Sequence, residues 1–348
     1  MSTPIATRQY YYPELGSYDN LVLQEAPLAA LKINEVLVKT HAVSLQFRDL
    51  LIANRQYPSP VPQNLVPCSD MAGEVIAVGG DVKKWKTGDR VCANFFLDKL
   101  NDVQTPETDA SALGGGTQGV LTEYRTFPAH SLVAIPPHLS YEEASTLPCA
   151  AVTAYNALLS GYTPLKAGDT VVVQGTGGVS IFALQFAVAS GATVIALSSS
   201  DSKLKAVKDL GATHVINYRT TPDWDREVLK ITNGVGADRV IEVAGNATLQ
   251  RSIDCVKLGG SIDIIGLLGG VNDVPPVDII VPTIFRSLKI RGLYVGSVPQ
   301  FHDMNKLITA NPATTRPIID RVFPFAEAKA AFAYLASQGH VGKVVIKL

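Results

Sequence analysis

Over roughly the first 135 residues, apolar positions come in short runs, "NEVLVKTHAVSL", "MAGEVIAVGGDV", "KTGDRVCANFF" and "GVLTEYRTF", each broken by turn residues. Runs of this length between glycine, asparagine and aspartate predict a small, mostly antiparallel, barrel-like domain. Between them, Leu100 to Gly119 ("LNDVQTPETDASALGGGTQG") is polar and without periodicity, which predicts a long loop that either shapes a pocket or is a plain excursion.

From "YEEASTLPCAAVTAYNALL" onward the pattern alternates between strand and helix. "DTVVVQG", "TVIALSS", "HVIN", "ADRVIEVAG" and "GSIDIIGLL" read as strands, while "SIFALQFAVAS" and "KLKAVKDLGA" read as helices. Such alternation predicts an α/β, doubly wound parallel sheet with helices on both faces. "LKIRGLYVGS" reads as the last strand of that sheet. After it, "FHDMNKLITA" and "FAEAKAAFAYLASQ" are amphipathic helices and "GKVVIKL" is a closing strand.

The length, 348 residues of which 47% are hydrophobic, supports two compact domains with sizeable cores. Thirty basic and 31 acidic side chains leave a net charge of -1, which argues against a nucleic acid or an anionic membrane as partner and favours a small molecule. Cys68, Cys92, Cys149 and Cys255 stand far apart with no C-x-x-C pair, so neither a disulfide framework nor a closed structural zinc site is expected. No apolar run reaches membrane-spanning length and the start, "MSTPIATRQYYYPELG", has no signal-like core. A cytoplasmic protein is the expectation.

Candidate chemistry begins at "VVVQGTGGVSIFALQ". Gly175, Thr176, Gly177, Gly178 and Val179 stand between a predicted strand and a predicted helix, where glycines let backbone N–H groups approach a pyrophosphate at the positive end of the helix dipole. Ser180 takes the place of the fingerprint's last glycine. The second strand then ends on "SSSDSK", where a carboxylate for the adenosine ribose of NAD is usually found. Hydroxyls and an ammonium suit a 2′-phosphate instead. Ser198, Ser199, Ser200 and Lys203 therefore predict NADP(H), with Tyr218 closing the pocket and Arg219 as a further helper. Asp201 is near enough to act as a residual acid, and Ser200 or Asp201 could simply cap the next helix.

These motifs, together with "GEVIAVGGDVKKWKTGDRV", "LPCAAVTAYNALL", "LGATHVINYR" and the terminal "GKVVIKL", resemble the medium-chain dehydrogenase/reductase superfamily along essentially the whole chain. The nearest branches in appearance are the zinc-type alcohol dehydrogenase-like proteins and the zinc-lacking quinone oxidoreductases. The resemblance implies a GroES-like catalytic domain from residues 1–150 and 295–348, a Rossmann NADP(H)-binding domain from 151–294, and a cleft at their junction. In members with catalytic zinc, its three ligand positions fall here on Gln46, Ser69 and Cys149. Neither an amide nor a hydroxyl is a normal zinc ligand, so no metal is expected.

Without a Lewis acid the chain should reduce an acceptor that is already activated: hydride from NADPH to the β-carbon of an enone, enal or quinone, with the developing enolate held by hydrogen-bond donors. The resemblance points to Tyr57 and Gln46 as those donors. It places Phe47, Asp70, Cys149 and Thr153 around the substrate and nicotinamide, and Gly266, Leu267 and Lys343 on the cofactor. Arg48 and Asp49 read as a structural ion pair. A metal-independent alcohol dehydrogenase or carbonyl reductase, with Tyr57 as proton donor, is the second enzymatic reading, and a low-turnover NADP(H)-binding sensor is the non-enzymatic one. Ser287 to Gly296 reads as an apolar edge strand that pairs with its twin, so a homodimer is expected.

Overall fold

The computed structural model describes residues 4–268 and 276–348. The first three residues, part of the chain start read above, lie outside the described set. The chain divides into two compact units. One takes residues 1–152, 295–312 and 316–348, the other 153–294 with 313–315.

The first unit is built on a seven-stranded sheet. Its central strand, Glu35–Ser44, pairs antiparallel with Asp70–Val78, with Tyr124–Pro128 and with the C-terminal strand Lys343–Lys347. Alternating apolar positions of these runs, Val36, Val38, Val43, Met71, Val75, Val344 and Ile346, are buried together with Phe127 and with Phe332 from the helix Ala328–Ala336. Register matters more than the count of strands. Ser44 lies opposite both Asp70 and Val345, so Gln46, Asp70 and Lys343 all emerge at one end of the sheet.

The segment from Leu100 to Gly119 is not a plain loop. Thr105 caps a short helix, Pro106–Ala110, and Ala112 and Leu113 are tied back to Phe96 and Phe95. Three further glycines explain the close packing that follows. A Cβ on Gly114, Gly116 or Gly119 would stand within 2.6 Å of backbone carbonyl oxygens, those of Cys68, of Asp109 and of Pro67 respectively. Composition alone hid this, because the packing is carried by backbone and not by apolar side chains.

The second unit is a six-stranded sheet, all parallel, in the order His214–Asn217, Thr193–Ser198, Thr170–Gln174, Ala237–Glu242, Val256–Ile264, Lys289–Gly292. The chain builds outward on one side of Thr170–Gln174 and then restarts on the other, so the strand order reverses between Thr170–Gln174 and Ala237–Glu242. Helix Gly178–Ala189 is buried from Ser180 through Ala187, as its continuous apolar sequence requires. Two helices escaped the sequence reading, Trp224–Ile231 and Asn246–Cys255, because their polar faces interrupt the apolar runs that mark the strands. The last strand is also shorter than its apolar run, four residues, and is held by Arg291, whose Nε donates to the buried Asp263 at 2.8 Å beside Arg239 at 2.9 Å. Among the described residues no helix is long and apolar enough to cross a membrane.

Candidate active site

In the second unit the turn after Thr170–Gln174 has the shape the glycines predict. Gly175 sits at φ +74°, a conformation that favours glycine, and Gly177 caps the helix without a side-chain bond to its free N–H groups. A Cβ on Gly175 or Gly177 would meet nothing within 4 Å, so the outer face of the turn borders open space. Ser180 is buried and its hydroxyl donates to the Gln174 carbonyl at 2.6 Å, which draws helix and strand together where a glycine was expected. Thr176 is buried and Val179 half-buried beside it. These residues fit a dinucleotide pyrophosphate: a cradle of backbone donors at a helix N-terminus, free of side chains.

The serine cluster gathers at the ends of two neighbouring parallel strands. Ser198 ends its strand opposite Asn217, and the Tyr218 N–H donates to the Ser198 carbonyl at 3.0 Å. Ser200 makes no side-chain capping bond; its hydroxyl pairs instead with Ser202 at 2.8 Å. Asp201, the residual acid, accepts from the Asn217 amide at 2.7 Å. Ser199 and Lys203 are half-buried and Tyr218 is exposed.

In the first unit the centre is Asp70, fully buried as the first residue of its strand. Its Oδ2 accepts from Gln46 Nε2 at 2.6 Å and from the Cys149 N–H at 3.1 Å, and its Oδ1 accepts from the Ser69 hydroxyl at 2.5 Å. Burial pushes the Asp70 carboxyl up, against the Lys343 charge and these bonds, which pull it down. Lys343 is buried too, with its Nζ donating to the Leu45 carbonyl; burial lowers its pKa and the Asp70 charge opposes that. The structure thus groups Lys343 with Gln46, Asp70 and Cys149, all within one unit. The C-terminal strand pairing brings it there, and nothing in the local sequence "GKVV" signals that neighbour.

Gln46 precedes the helix Phe47–Ala53, and its own N–H is held by Asp49 Oδ2 at 2.8 Å. Phe47 opens that helix and packs on the sheet core. Arg48 donates to the Leu113 carbonyl at 2.8 Å, with its guanidinium 5.0 Å from the Tyr57 ring centre and 4.7 Å from that of Phe95. Tyr57 is half-buried and lines a cavity of about 240 Å³ with Leu15, Ile52, Pro60 and Val61. Thr153, Gly266 and Leu267 belong to the second unit, where Gly266 packs so closely that a Cβ would stand 2.3 Å from the Val243 carbonyl.

Zinc needs thiolate, imidazole or carboxylate ligands. Gln46 and Ser69 offer none of these, the Cys149 thiol is pushed up by desolvation and then by the Asp70 charge, and both Asp70 oxygens already accept hydrogen bonds. This donor set does not fit the metal. Among the described residues no group of three His, Cys, Asp or Glu side chains is placed to hold one.

Residues 32–137 match the family model of the alcohol dehydrogenase GroES-like domain, and residues 178–310 that of the zinc-binding dehydrogenases. A zinc-type alcohol dehydrogenase-like protein of Schizosaccharomyces pombe is 46% identical over 99% of this chain and 100% of its own. A solved structure from Sinorhizobium meliloti 1021 carrying an alcohol dehydrogenase name has a TM-score of 0.91 at 39% identity, with both chains covered completely. An NAD-dependent alcohol dehydrogenase superposes at 0.85 with 29% identity over 98% of this chain and 99% of its own. The 2-octenoyl-CoA carboxylase reductase CinF, solved with NADP and 2-octenoyl-CoA, also superposes at 0.85, with 26% identity over 99% and 88%.

Asp49 supplies a pH test of the buried cluster. Desolvation pushes its carboxyl from 3.8 up to about 6, and its Oδ1 is buried with no hydrogen-bond partner. The folded chain therefore binds this proton more tightly than the unfolded chain, and stability falls as pH rises between those two values. Asp49→Asn keeps an acceptor for the Gln46 N–H and removes the charge. It should stabilise the protein at pH 7.5 by on the order of 1–3 kcal/mol, with the gain disappearing near pH 4. Urea midpoints at the two pH values measure this, and an equal gain at both would contradict it.

Proposed function

The chain belongs to the medium-chain dehydrogenase/reductase superfamily, and on that premise we propose that it is an NADP(H)-dependent reductase that works without zinc and passes hydride to a conjugated carbonyl: an enone, an enal or a quinone. It is an oxidoreductase with a nicotinamide dinucleotide-binding dehydrogenase fold.

The observation that carries the finer reading is the closed Asp70 group. Gln46, Ser69 and the Cys149 N–H satisfy Asp70, and the neighbouring Lys343 supplies the positive charge from within the protein. With no Lewis acid to ionise an alcohol, an acceptor polarised by its own conjugation is the chemistry that suits the site. A bound nicotinamide would supply a hydride from C4. The amides at Gly177 and Gly178 would hold the pyrophosphate, and Ser198, Ser199, Ser200, Lys203 and Tyr218 would hold the 2′-phosphate. The half-buried Tyr57 lines a cavity whose walls combine Leu15, Ile52, Pro60 and Val61 with Arg55 and Ser59, and in this reading its phenol meets the substrate oxygen as charge develops there. The Gln46 amide is bonded to Asp70, so its part is to fix that carboxylate while Tyr57 donates. The names of the S. pombe and S. meliloti relatives favour a second reading, reduction of a saturated aldehyde or ketone with Tyr57 as the donor.

In this reading the protein is a cytoplasmic homodimer with a small-molecule substrate. Support for the dimer lies in the second unit: the edge strand Lys289–Gly292 is half open, and helix Ile280–Phe285 buries no residue while exposing Ile280, Ile284 and Phe285. An apolar helix beside an unpaired edge is a surface that a second copy covers.

Coenzyme choice is tested by fluorescence titration. NADPH should bind about ten- to a hundredfold more tightly than NADH, as a charge-assisted phosphate contact of roughly 1.5–3 kcal/mol gives; equal affinities, or preference for NADH, would remove the phosphate pocket from the reading. Steady-state kinetics in a strong chelator test the chemistry. The wild type should reduce an α,β-unsaturated ketone or a quinone better than a saturated aldehyde, and Tyr57→Phe should lose about a hundred- to a thousandfold in turnover with NADPH affinity kept. Activity lost to the chelator and restored by zinc would sink the metal-free mechanism, and a fully active Tyr57→Phe enzyme would leave Tyr57 a packed aromatic. Light scattering at micromolar concentration should give twice the chain mass for the wild type and a monomer for the Ile284→Asp, Phe285→Asp double variant; a monomeric wild type refutes the dimer.

A further inference from the structure

Where the strand order reverses, two strand ends are locked together by a buried carboxylate. Glu242 ends the strand Ala237–Glu242, Gln174 ends its neighbour Thr170–Gln174, and Glu242 is fully buried. Its Oε2 accepts from Gln174 Nε2 at 2.7 Å and from the Ser252 hydroxyl at 2.5 Å. Its Oε1 accepts from the N–H groups of Ala244 and Gly245, both at 2.9 Å, and from the Thr248 hydroxyl at 2.7 Å. Every group around it donates, which is the arrangement an ionised, acceptor-only carboxylate requires. Gln174 completes the ring by accepting from the Val243 N–H at 3.2 Å.

The loop held this way, Val243 to Gly245, packs closely against the turn at Gly266 and Leu267. Gly245 lies at φ +78°, and a Cβ there would stand 3.0 Å from the Gly266 carbonyl, while a Cβ on Gly266 would stand 2.3 Å from the Val243 carbonyl. With backbones this close, and the Leu268 N–H donating to the Val243 carbonyl at 3.2 Å, the two loops take their shape together. Their place follows from the sheet. A dinucleotide in an open α/β sheet crosses the carboxyl ends of the strands at the order reversal. Its adenosine half belongs at the end of Thr193–Ser198 and its pyrophosphate over Gly175 to Gly178, so its other half extends over the ends of Ala237–Glu242 and Val256–Ile264.

We propose that Glu242 is a positioning residue for the nicotinamide half of the bound dinucleotide: by holding the amides of Ala244 and Gly245 it fixes that loop, and through it the Gly266 turn, in the shape this half requires. The inference rests on the dehydrogenase reading above. It assigns to a buried acid outside the glycine fingerprint a share in binding that neither the fingerprint nor the serine cluster carries.

The test uses half of the ligand as its control. In Glu242→Gln, an amide N–H faces the N–H of Gln174, so the ring loses its donor and acceptor match. NADPH affinity, by fluorescence titration, should fall about tenfold or more, while 2′,5′-ADP, which reaches only the adenosine side, binds within about twofold of the wild type. NADH and 5′-AMP are titrated in parallel, so that a chain preferring NAD is read by the same comparison. The exchange Gln174→Glu with Glu242→Gln restores one carboxylate and one amide in mirrored places, and should bring NADPH affinity back to within about threefold. Thr248→Val removes a single donor and should weaken NADPH about threefold with 2′,5′-ADP unchanged, a readout available even if Glu242→Gln does not fold. Equal loss of dinucleotide and adenosine half, unchanged NADPH binding in the variants, or an exchange that restores folding but not affinity would each overturn the proposal. A wild type that binds 2′,5′-ADP but no dinucleotide, or binds neither, overturns the dehydrogenase reading and this inference with it.

Discussion

The strand Lys343–Lys347 pairs with the central strand of the first unit, Glu35–Ser44, and the candidate chemistry depends on that pairing. Lys343–Lys347 lies between Ile319–Pro324 and Glu35–Ser44. Its register against Ser44 delivers a buried ammonium to the end of the sheet where Asp70 begins. Remove that strand and the carboxylate keeps its hydrogen bonds but loses its opposing charge, in an interior where an uncompensated charge costs several kcal/mol. The fold therefore joins residues 46, 70 and 343 by backbone hydrogen bonds before any side chain acts.

Asp70 shows how a site can keep its framework while its chemistry changes. An amide and a hydroxyl, Gln46 and Ser69, stand at two of the three positions at which the resemblance places zinc ligands. Here both donate to the neighbouring carboxylate of Asp70. The donors that satisfy Asp70 are an amide, a hydroxyl and a backbone N–H, none of them a normal zinc ligand. A buried polar group of this kind holds its shape because breaking any one bond leaves a desolvated partner.

Two polar centres, one in each unit, are built on the same principle. Asp70 is met by donors from three separated stretches of chain, Gln46, Ser69 and Cys149; Glu242 is met by donors from Gln174, from its own loop and from the following helix. Both sit at strand ends, where the ladder stops and backbone amides become free to turn toward a carboxylate. Both convert a loop, normally the most mobile part of a fold, into a surface of defined shape.

The parallel sheet, the glycine turn and the missing acid after the second strand were legible in the sequence, because each is written in neighbours: an apolar run with its turn residues, three glycines between strand and helix, serines where a carboxylate is usual. Family membership was legible for the same reason, carried by local motifs spread along the chain. The helices Trp224–Ile231 and Asn246–Cys255, the packed interior of Leu100 to Gly119 and the full length of the last strand were not, since polar faces, backbone contacts and an edge position leave no periodic trace. Nor could sequence alone place Lys343 beside Asp70 across 272 intervening positions, or reveal that Gln46 is bonded to Asp70, or that Glu242 is a clamp and not merely the polar end of a strand. Those facts depend on strand register and strand order, which are settled by hydrogen bonds between distant segments, and a hydrogen bond between residues far apart in the chain exists only once the chain has folded.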